Sequence, residues 1–345
     1  MLLINPFKPF YVDEQNKILR MGNFENTGKE IEYEDINFLK IFEYLKQPTS
    51  KTDLVNLMCK ETGTSKKEIN EILDYLISEN FIIYQQEYQE LINDHKYGRQ
   101  NMYFSMISEA PTNLNAEQMN KRILILGLGG VGANVAQILH RAGFKNFTIV
   151  DFDLVEESNL IRQFPYTKND IDKLKTDVLA DVLQNEDMHI KKINKKIEKE
   201  RDIICEIRES DFVLCTLDKP FRVIRRLINS ICIKEKKPVL FAGFAEHVAM
   251  IGPFVEPTSS ACLICNEPKM TEKPLYNVTL APSYGPLCSV ISSLVANEII
   301  NYFVKFNNIN LIGKTLMFNM ISYKMDIIEW SKNDKCKECG INVNQ

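Results

Sequence analysis

The stretch that most limits what this chain can fold into is residues 123–163, ILILGLGGVGANVAQILHRAGFKNFTIVDFDLVEESNLIRQ. It opens with a short apolar run and turns through Gly127, Gly129, Gly130 and Gly132. An apolar helical stripe follows, and a second apolar run ends at Asp151 and Asp153. Strand, glycine turn, helix and strand in this order predict a βαβ unit of a parallel sheet. Glycines at such a turn let backbone N–H groups approach a phosphate at the positive end of the helix dipole. A carboxylate closing the second strand is placed to accept hydrogen bonds from a ribose. Alone the glycine pattern is a weak signal, for which an NAD enzyme is the default reading.

The residues just beyond change that reading. Asn159, Arg162 and Gln163 put a guanidinium and two amides next to the ribose-binding carboxylates. A hydride-transfer site has no evident need for that arginine, whereas a triphosphate does, since Arg binds phosphate oxygens bidentately. The glycines, the run from Asp151 to Gln163, Lys175 and the piece Cys215-Thr216-Leu217-Asp218 occur in this order. Together they resemble the ThiF/MoeB family of adenylating enzymes, with one leucine inserted in the last piece. The resemblance covers about residue 97 to the C-terminus. It implies an α/β fold: a Rossmann-like adenylation domain with a mostly parallel sheet, and ATP as substrate. By that resemblance Gly127, Gly129, Gly130, Gly132, Asp151, Asp153, Asn159 and Gln163 line the nucleotide, with Asp151 on the ribose. Arg162 and Lys175 then hold phosphates. Asp218, at the carboxyl end of a strand, holds Mg²⁺; as a helix N-cap for residues 219–233 it has a structural alternative. Tyr97-Gly98-Arg99-Gln100 resembles the family segment whose arginine reaches the other subunit's ATP, which implies a homodimer and a catalytic role for Arg99.

Nine cysteines include two Cys-x-x-Cys pairs, Cys262/Cys265 and Cys336/Cys339. Two such pairs can supply four thiolates to one tetrahedral zinc. They resemble the family's structural Zn²⁺ site. Family members that form a thioester carry a cysteine in the loop corresponding to residues 266–283, where this sequence has none. Cys288 is the nearest thiol, expected to be packed and inert. Cys59, Cys205, Cys215 and Cys232 lie in apolar patterns and are expected in the core.

Residues 1–89 read as a separate small α+β domain. Residues 10–12 and 17–24 predict a hairpin, and residues 34–45 a helix. Leu54, Leu57 and Met58 mark a second helix; Ser65 with Glu68 forms a capping box for a third, and residues 81–84 a closing strand. The order is winged-helix-like. Residues 1–90 carry ten basic and sixteen acidic side chains, a net charge of −6, which argues against nucleic acid as partner. The pattern instead resembles the PqqD-like leader-peptide recognition domains. These take a peptide as an added strand on a sheet edge, here near residues 29–33 beside the third helix. Residues 90–120 read as a linker carrying Arg99, and 121–345 as the adenylation domain with the cysteine pairs.

At 345 residues and a net charge of −4, the chain is long enough for two buried cores and carries no excess charge to attract a membrane. No signal peptide and no bilayer-length apolar run are read, so a cytoplasmic location and no membrane partner are expected. An adenylation domain, a peptide-recognition domain and no catalytic cysteine together resemble the ThiF-like enzymes of peptide natural products, of the microcin C type. The expected partner is a short precursor peptide, adenylated on its C-terminal carboxylate. Activation of a ubiquitin-like sulfur carrier and a non-catalytic leader-binding scaffold are the alternatives.

Overall fold

The computed structural model describes residues 1–22, 28–107, 116–184, 187–220, 222–265, 282–304 and 311–340. The chain divides into two compact units, residues 1–114 with 304–307, and the remainder.

In the first unit, β1 (Leu2–Ile4), β2 (Phe10–Asp13), β3 (Ile18–Met21) and β4 (Lys29–Glu32) precede α1 (Lys40–Tyr44), α2 (Lys51–Thr62) and α3 (Lys66–Ser78). The strand β5 (Ile82–Tyr84) and the helices α4 (Gln85–Asn93) and α5 (Gly98–Ile107) complete it. All pairing is antiparallel, β1 with β5 and β2-β3-β4 as a meander. Leu19, Ile41, Leu54, Met58, Leu73 and Phe81 form the heart of its core. Ser65 accepts from the Glu68 N–H and Glu68 from the Ser65 N–H, closing the capping box that starts α3. The first helix is shorter than its stripe suggests. The Asp35 carboxylate caps Asn37 at 2.9 Å, and a 3₁₀ turn over Ile36–Leu39 comes before α1. On α2 the buried stripe is Leu54, Val55 and Met58, with Leu57 at 37% exposure. The segment read as a linker holds the last four residues of α4 and all of α5.

The second unit contains α6 (Ala116–Met119), β6 (Arg122–Leu126), α7 (Gly132–Ala142), β7 (Asn146–Val150), α8 (Lys175–Leu183) and β8 (His189–Ile193). There follow α9 (Ile204–Glu209), β9 (Phe212–Cys215), α10 (Val223–Lys234), β10 (Val239–Ala245), β11 (Val248–Val255), α11 (Gly285–Val304), β12 (Lys314–Asn319) and β13 (Met325–Glu329). One eight-stranded sheet has the order β13-β12-β11-β10-β9-β6-β7-β8. Strands β8, β7, β6, β9 and β10 run parallel, and the last three add antiparallel. Strand β6 is followed in the chain by β7 on one side, and β9 later takes its other side. That reversal makes the carboxyl ends of β6 and β9 the crevice where such sheets bind ligands.

Two expectations from sequence are corrected here. The helix α11 has a window of mean hydropathy 1.5 and is long and apolar enough, by length and composition, to cross a membrane. Its interspersed Ser292 and Glu298 made the run read shorter. In the structure 56% of that window is buried, with Ile291, Val295 and Ile299 fully so. Cys205 is exposed. Ile203, just before the short helix α9, and Ile207 on it take the buried face four residues apart, which turns Cys205 outward.

Candidate nucleotide site, cysteine cluster and surface groove

The glycine turn is held by contacts that leave no room for side chains at Gly127 and Gly132. Gly127 has φ +94°, and its N–H donates to the Val150 carbonyl at 2.9 Å. A Cβ on Gly132 would run into the Gly127 carbonyl and, at 3.0 Å, Thr216 Oγ1. Thr216, at the end of β9, donates to the carbonyls of Leu126 and Gly127 at 3.1 and 3.0 Å, tying the two sides of the crevice together. A Cβ on Gly129 would meet nothing within 4 Å, so its backbone lies open. One prediction follows. Gly132→Ala should lower thermal stability by about 1–3 kcal/mol. Gly129→Ala should barely shift the melting temperature yet weaken ATP binding roughly tenfold, about 1.4 kcal/mol, by keeping phosphate off the backbone. Melting curves and ATP titration calorimetry check both.

Asp151 and Asp153, alike in sequence, differ in place. Asp151 is buried, and its two oxygens accept from the N–H groups of Leu128 (2.6 Å) and Asp153 (2.9 Å). Burial pushes its carboxyl above the usual range, against the opposing pull of Lys175 and these two donors. These two bonds tie the glycine turn to the end of β7. Asp153 is half exposed and is the carboxylate left facing solvent. It pairs at 2.9 Å with Lys175, the first residue of α8, whose side chain is 6% exposed. Tyr166 also braces the turn, donating to the Leu128 carbonyl at 3.0 Å. Burial first, then Asp151 and Asp153, push its hydroxyl pKa up, so it stays a donor.

Arg162 donates to the Ser158 carbonyl at 2.6 Å. Asn159 is buried and accepts from the Glu156 N–H at 3.1 Å, closing the turn that carries Arg162. Gln163 is buried, with no hydrogen-bond partner for its Oε1 among the described residues. Asn134 on α7 joins this turn to the glycines. Its Nδ2 donates to the carbonyls of Gly130 (2.7 Å) and Arg162 (3.1 Å), and its Oδ1 accepts from the Phe164 N–H (3.1 Å). Sequence reading missed this residue; its signal is an amide on the first turn of an apolar helix. The start of α11 closes the back of the turn. A Cβ on Gly130 would come 2.8 Å from Cys288 Sγ, and one on Gly285 would come 2.5 Å from the Ile161 carbonyl.

Asp218 is exposed just beyond β9. It does not cap the following helix, which begins later at Val223 with Arg222 at its N-cap position. Arg225 instead anchors this segment, donating to the carbonyls of Leu217 (3.1 Å) and Ala242 (2.9 Å). Glycines 127, 129, 130 and 132, Asp151, Asp153, Asn159, Arg162, Gln163, Lys175 and Asp218 thus all belong to the second unit. Arg99 is exposed on α5 of the first.

Cys262, Cys265, Cys336 and Cys339 bring their sulfurs within 4.8 Å of one another. Adjacent pairs stand at 3.7, 3.9 and 3.3 Å. A tetrahedron of ~2.3 Å metal–sulfur bonds needs about 3.8 Å between sulfurs, so the cluster fits zinc. Asn229 Oδ1 accepts from the Leu263 N–H at 2.9 Å and holds the first turn in place. Residues 266–283, where a thioester cysteine was sought, lie almost wholly outside the described residues. Cys288 is buried, and burial pushes its thiol up against the smaller pull of Arg162.

The first unit has its own cavity, of about 540 Å³, between β4 and α3. Its apolar lining is Ile31, Tyr33, Phe38, Ile72, Tyr75 and Leu76. Among the described residues β4 is paired on one side only, so the groove borders a sheet edge.

The ThiF family matches residues 97–338, well over half the sequence. The chain belongs to the ThiF family. Escherichia coli molybdopterin-synthase adenylyltransferase is 29% identical over 223 residues, covering 64% of this chain and 88% of that protein. The E. coli sulfur carrier protein ThiS adenylyltransferase is 30% identical over 187 residues, 53% and 72% of the two chains. In structure, E. coli MccB solved with ATP superposes with a TM-score of 0.80 at 21% identity, covering 98% of this chain and 99% of MccB. PaaA gives 0.69 at 17% identity, over 95% and 99%. The ThiF-family chain is an adenylyltransferase, and 98% of its length, small first unit included, shares the MccB fold.

Proposed function

We propose that this enzyme adenylates the C-terminal carboxylate of a short, ribosomally made peptide, in a biosynthetic route of the microcin C kind. The observation that carries the reading is the pairing, in one chain, of an adenylation unit with a groove beside a sheet edge. MccB, whose fold covers both units, has been solved with its MccA peptide. In the reaction a carboxylate oxygen attacks the α-phosphorus of ATP. The bond to the bridging oxygen breaks, its electron pair leaves with pyrophosphate, and a peptidyl adenylate remains. No protein nucleophile is needed, so the work is positioning and charge neutralisation.

The two aspartates divide by accessibility, and the cations take the roles that the family resemblance implies. Asp153 accepts from the ribose hydroxyls, while Asp151 keeps the turn in shape. Lys175 and Arg162 neutralise phosphate oxygens, and in a homodimer the partner subunit's Arg99 adds a third cation. Asp218 holds Mg²⁺, which shields the triphosphate charge; one carboxylate with phosphate oxygens is how that ion is ordinarily bound. The four cysteines hold a structural Zn²⁺. Cys288, buried behind the glycine turn, forms no thioester; Cys288→Ser should leave adenylation within about twofold of wild type, a change of roughly 0.4 kcal/mol.

A second reading, activation of a ubiquitin-like sulfur carrier, is favoured by the relatives named above. Mass spectrometry separates the two. The enzyme with ATP should convert a peptide encoded beside its gene to an adenylate, and leave a carrier ending in Gly-Gly unmodified. Adenylation of the carrier alone would replace the peptide reading.

A further inference from the structure

Resting on the reading that the first unit binds peptide, we propose that its groove selects a cationic segment in which Lys or Arg alternates with large apolar side chains. Besides its apolar lining the groove presents Glu32 and Glu34 from the β4 side and Glu68 and Glu71 from α3, and no Lys or Arg among the described residues lines it. The alternation runs over the end of β4 and the two residues that follow it. Ile31 and Tyr33 turn inward, whereas Glu32 and Glu34 are exposed. A strand added along this edge keeps the same period of two. Its side chains beside Ile31 and Tyr33 enter the apolar groove, and those beside Glu32 and Glu34 meet carboxylates, where opposite charge is the favourable cross-strand pair. On the other wall Glu68, Glu71 and Tyr75 share one face of α3 at helical spacing.

Among the described residues no close cation neutralises these acids beyond one weak pair. Glu68 accepts from the Ser65 N–H and hydroxyl, which are uncharged donors. Glu71 has Lys67 at 3.8 Å, but those side chains are 66% and 86% exposed, so the pair is weak. Lys17 reaches only the Glu34 backbone carbonyl, at 3.0 Å. A second, independent feature points to a ligand. Tyr33, 6% exposed and lining the groove, has a buried hydroxyl with no hydrogen-bond partner among the described residues. Buried hydroxyls are seldom left so, and a small turn of this ring as peptide enters the groove would give it a partner.

The test uses the full-length protein and three fluorescein-labelled peptides that alternate leucine with Lys, Gln or Glu, read by anisotropy. The Lys peptide should bind at least about tenfold tighter than the Glu peptide, because several individually weak pairs add and like charges oppose the Glu peptide. The margin should shrink as salt rises. Glu32→Gln/Glu71→Gln should bring the Lys peptide close to the Gln peptide. Equal binding of the three, or a preference surviving in the double variant, overturns the charge selection and leaves peptide docking standing. No binding of any of the three to the folded protein overturns both.

Discussion

Cys339→Ser should cost the second unit its metal and most of its stability. Cys262 and Cys336 are part of the main core, packed with Ile228, Cys232 and Val255, so the cluster is not a surface ornament. Metal-binding free energy is folding free energy, on the order of 10 kcal/mol for structural zinc in small domains. A domain's whole net stability is about 5–15 kcal/mol. Losing one thiolate ligand is therefore expected to leave little folded protein. Elemental analysis should find one zinc per wild-type chain and less in the variant, and urea unfolding should show the transition shifted far down. A wild-type protein free of zinc, with Cys339→Ser melting normally, would contradict the cluster's role.

Asp218→Ala and Arg99→Ala should each lose at least ~10²-fold in pyrophosphate release, on the order of 2.7 kcal/mol or more, while keeping the wild-type fold. Both side chains are exposed, so neither change touches the core. Mixed together after subunit exchange, the two inactive proteins should regain about a quarter of wild-type activity, since half the dimers are mixed and each holds one complete site. Absence of rescue, with exchange demonstrated, would confine Arg99 to its own subunit or to no role.

How much could be read beforehand depended on whether local pattern or tertiary contact decides a residue. The run from β6 through Asp153 was legible because its strand and helix periods are clean and its glycines answer a local need. So was the helix from Lys175 to Leu183, and so was the Ser65–Glu68 capping box. The strands β8, β12 and β13 were not. β8 reads HIKKI, and every residue of β13 is exposed, so neither shows the buried alternation that marks a strand. α4 buries only Leu91, and its polar sequence passed for a connector. At the site, residue types announced the acids and cations. Which of Asp151 and Asp153 faces solvent is decided by the Leu128 N–H, a contact across the sheet that no spacing encodes. Asn134 was hidden for the same reason, because its partners Gly130, Arg162 and Phe164 meet only in the folded unit.

The central claim is that ATP is spent on a peptide's terminal carboxylate. Exchange of labelled pyrophosphate into ATP measures that step directly, because it reports reversible formation of the acyl adenylate. With the full-length enzyme and a peptide pool that includes short reading frames beside the gene, exchange should need peptides ending in a free carboxylate. It should vanish when the same peptides carry C-terminal amides, and it should fall sharply in Lys175→Ala, where the cation paired with Asp153 at 2.9 Å is lost. Exchange that proceeds equally with amidated peptides, or that appears only with a Gly-Gly carrier protein, would contradict the account.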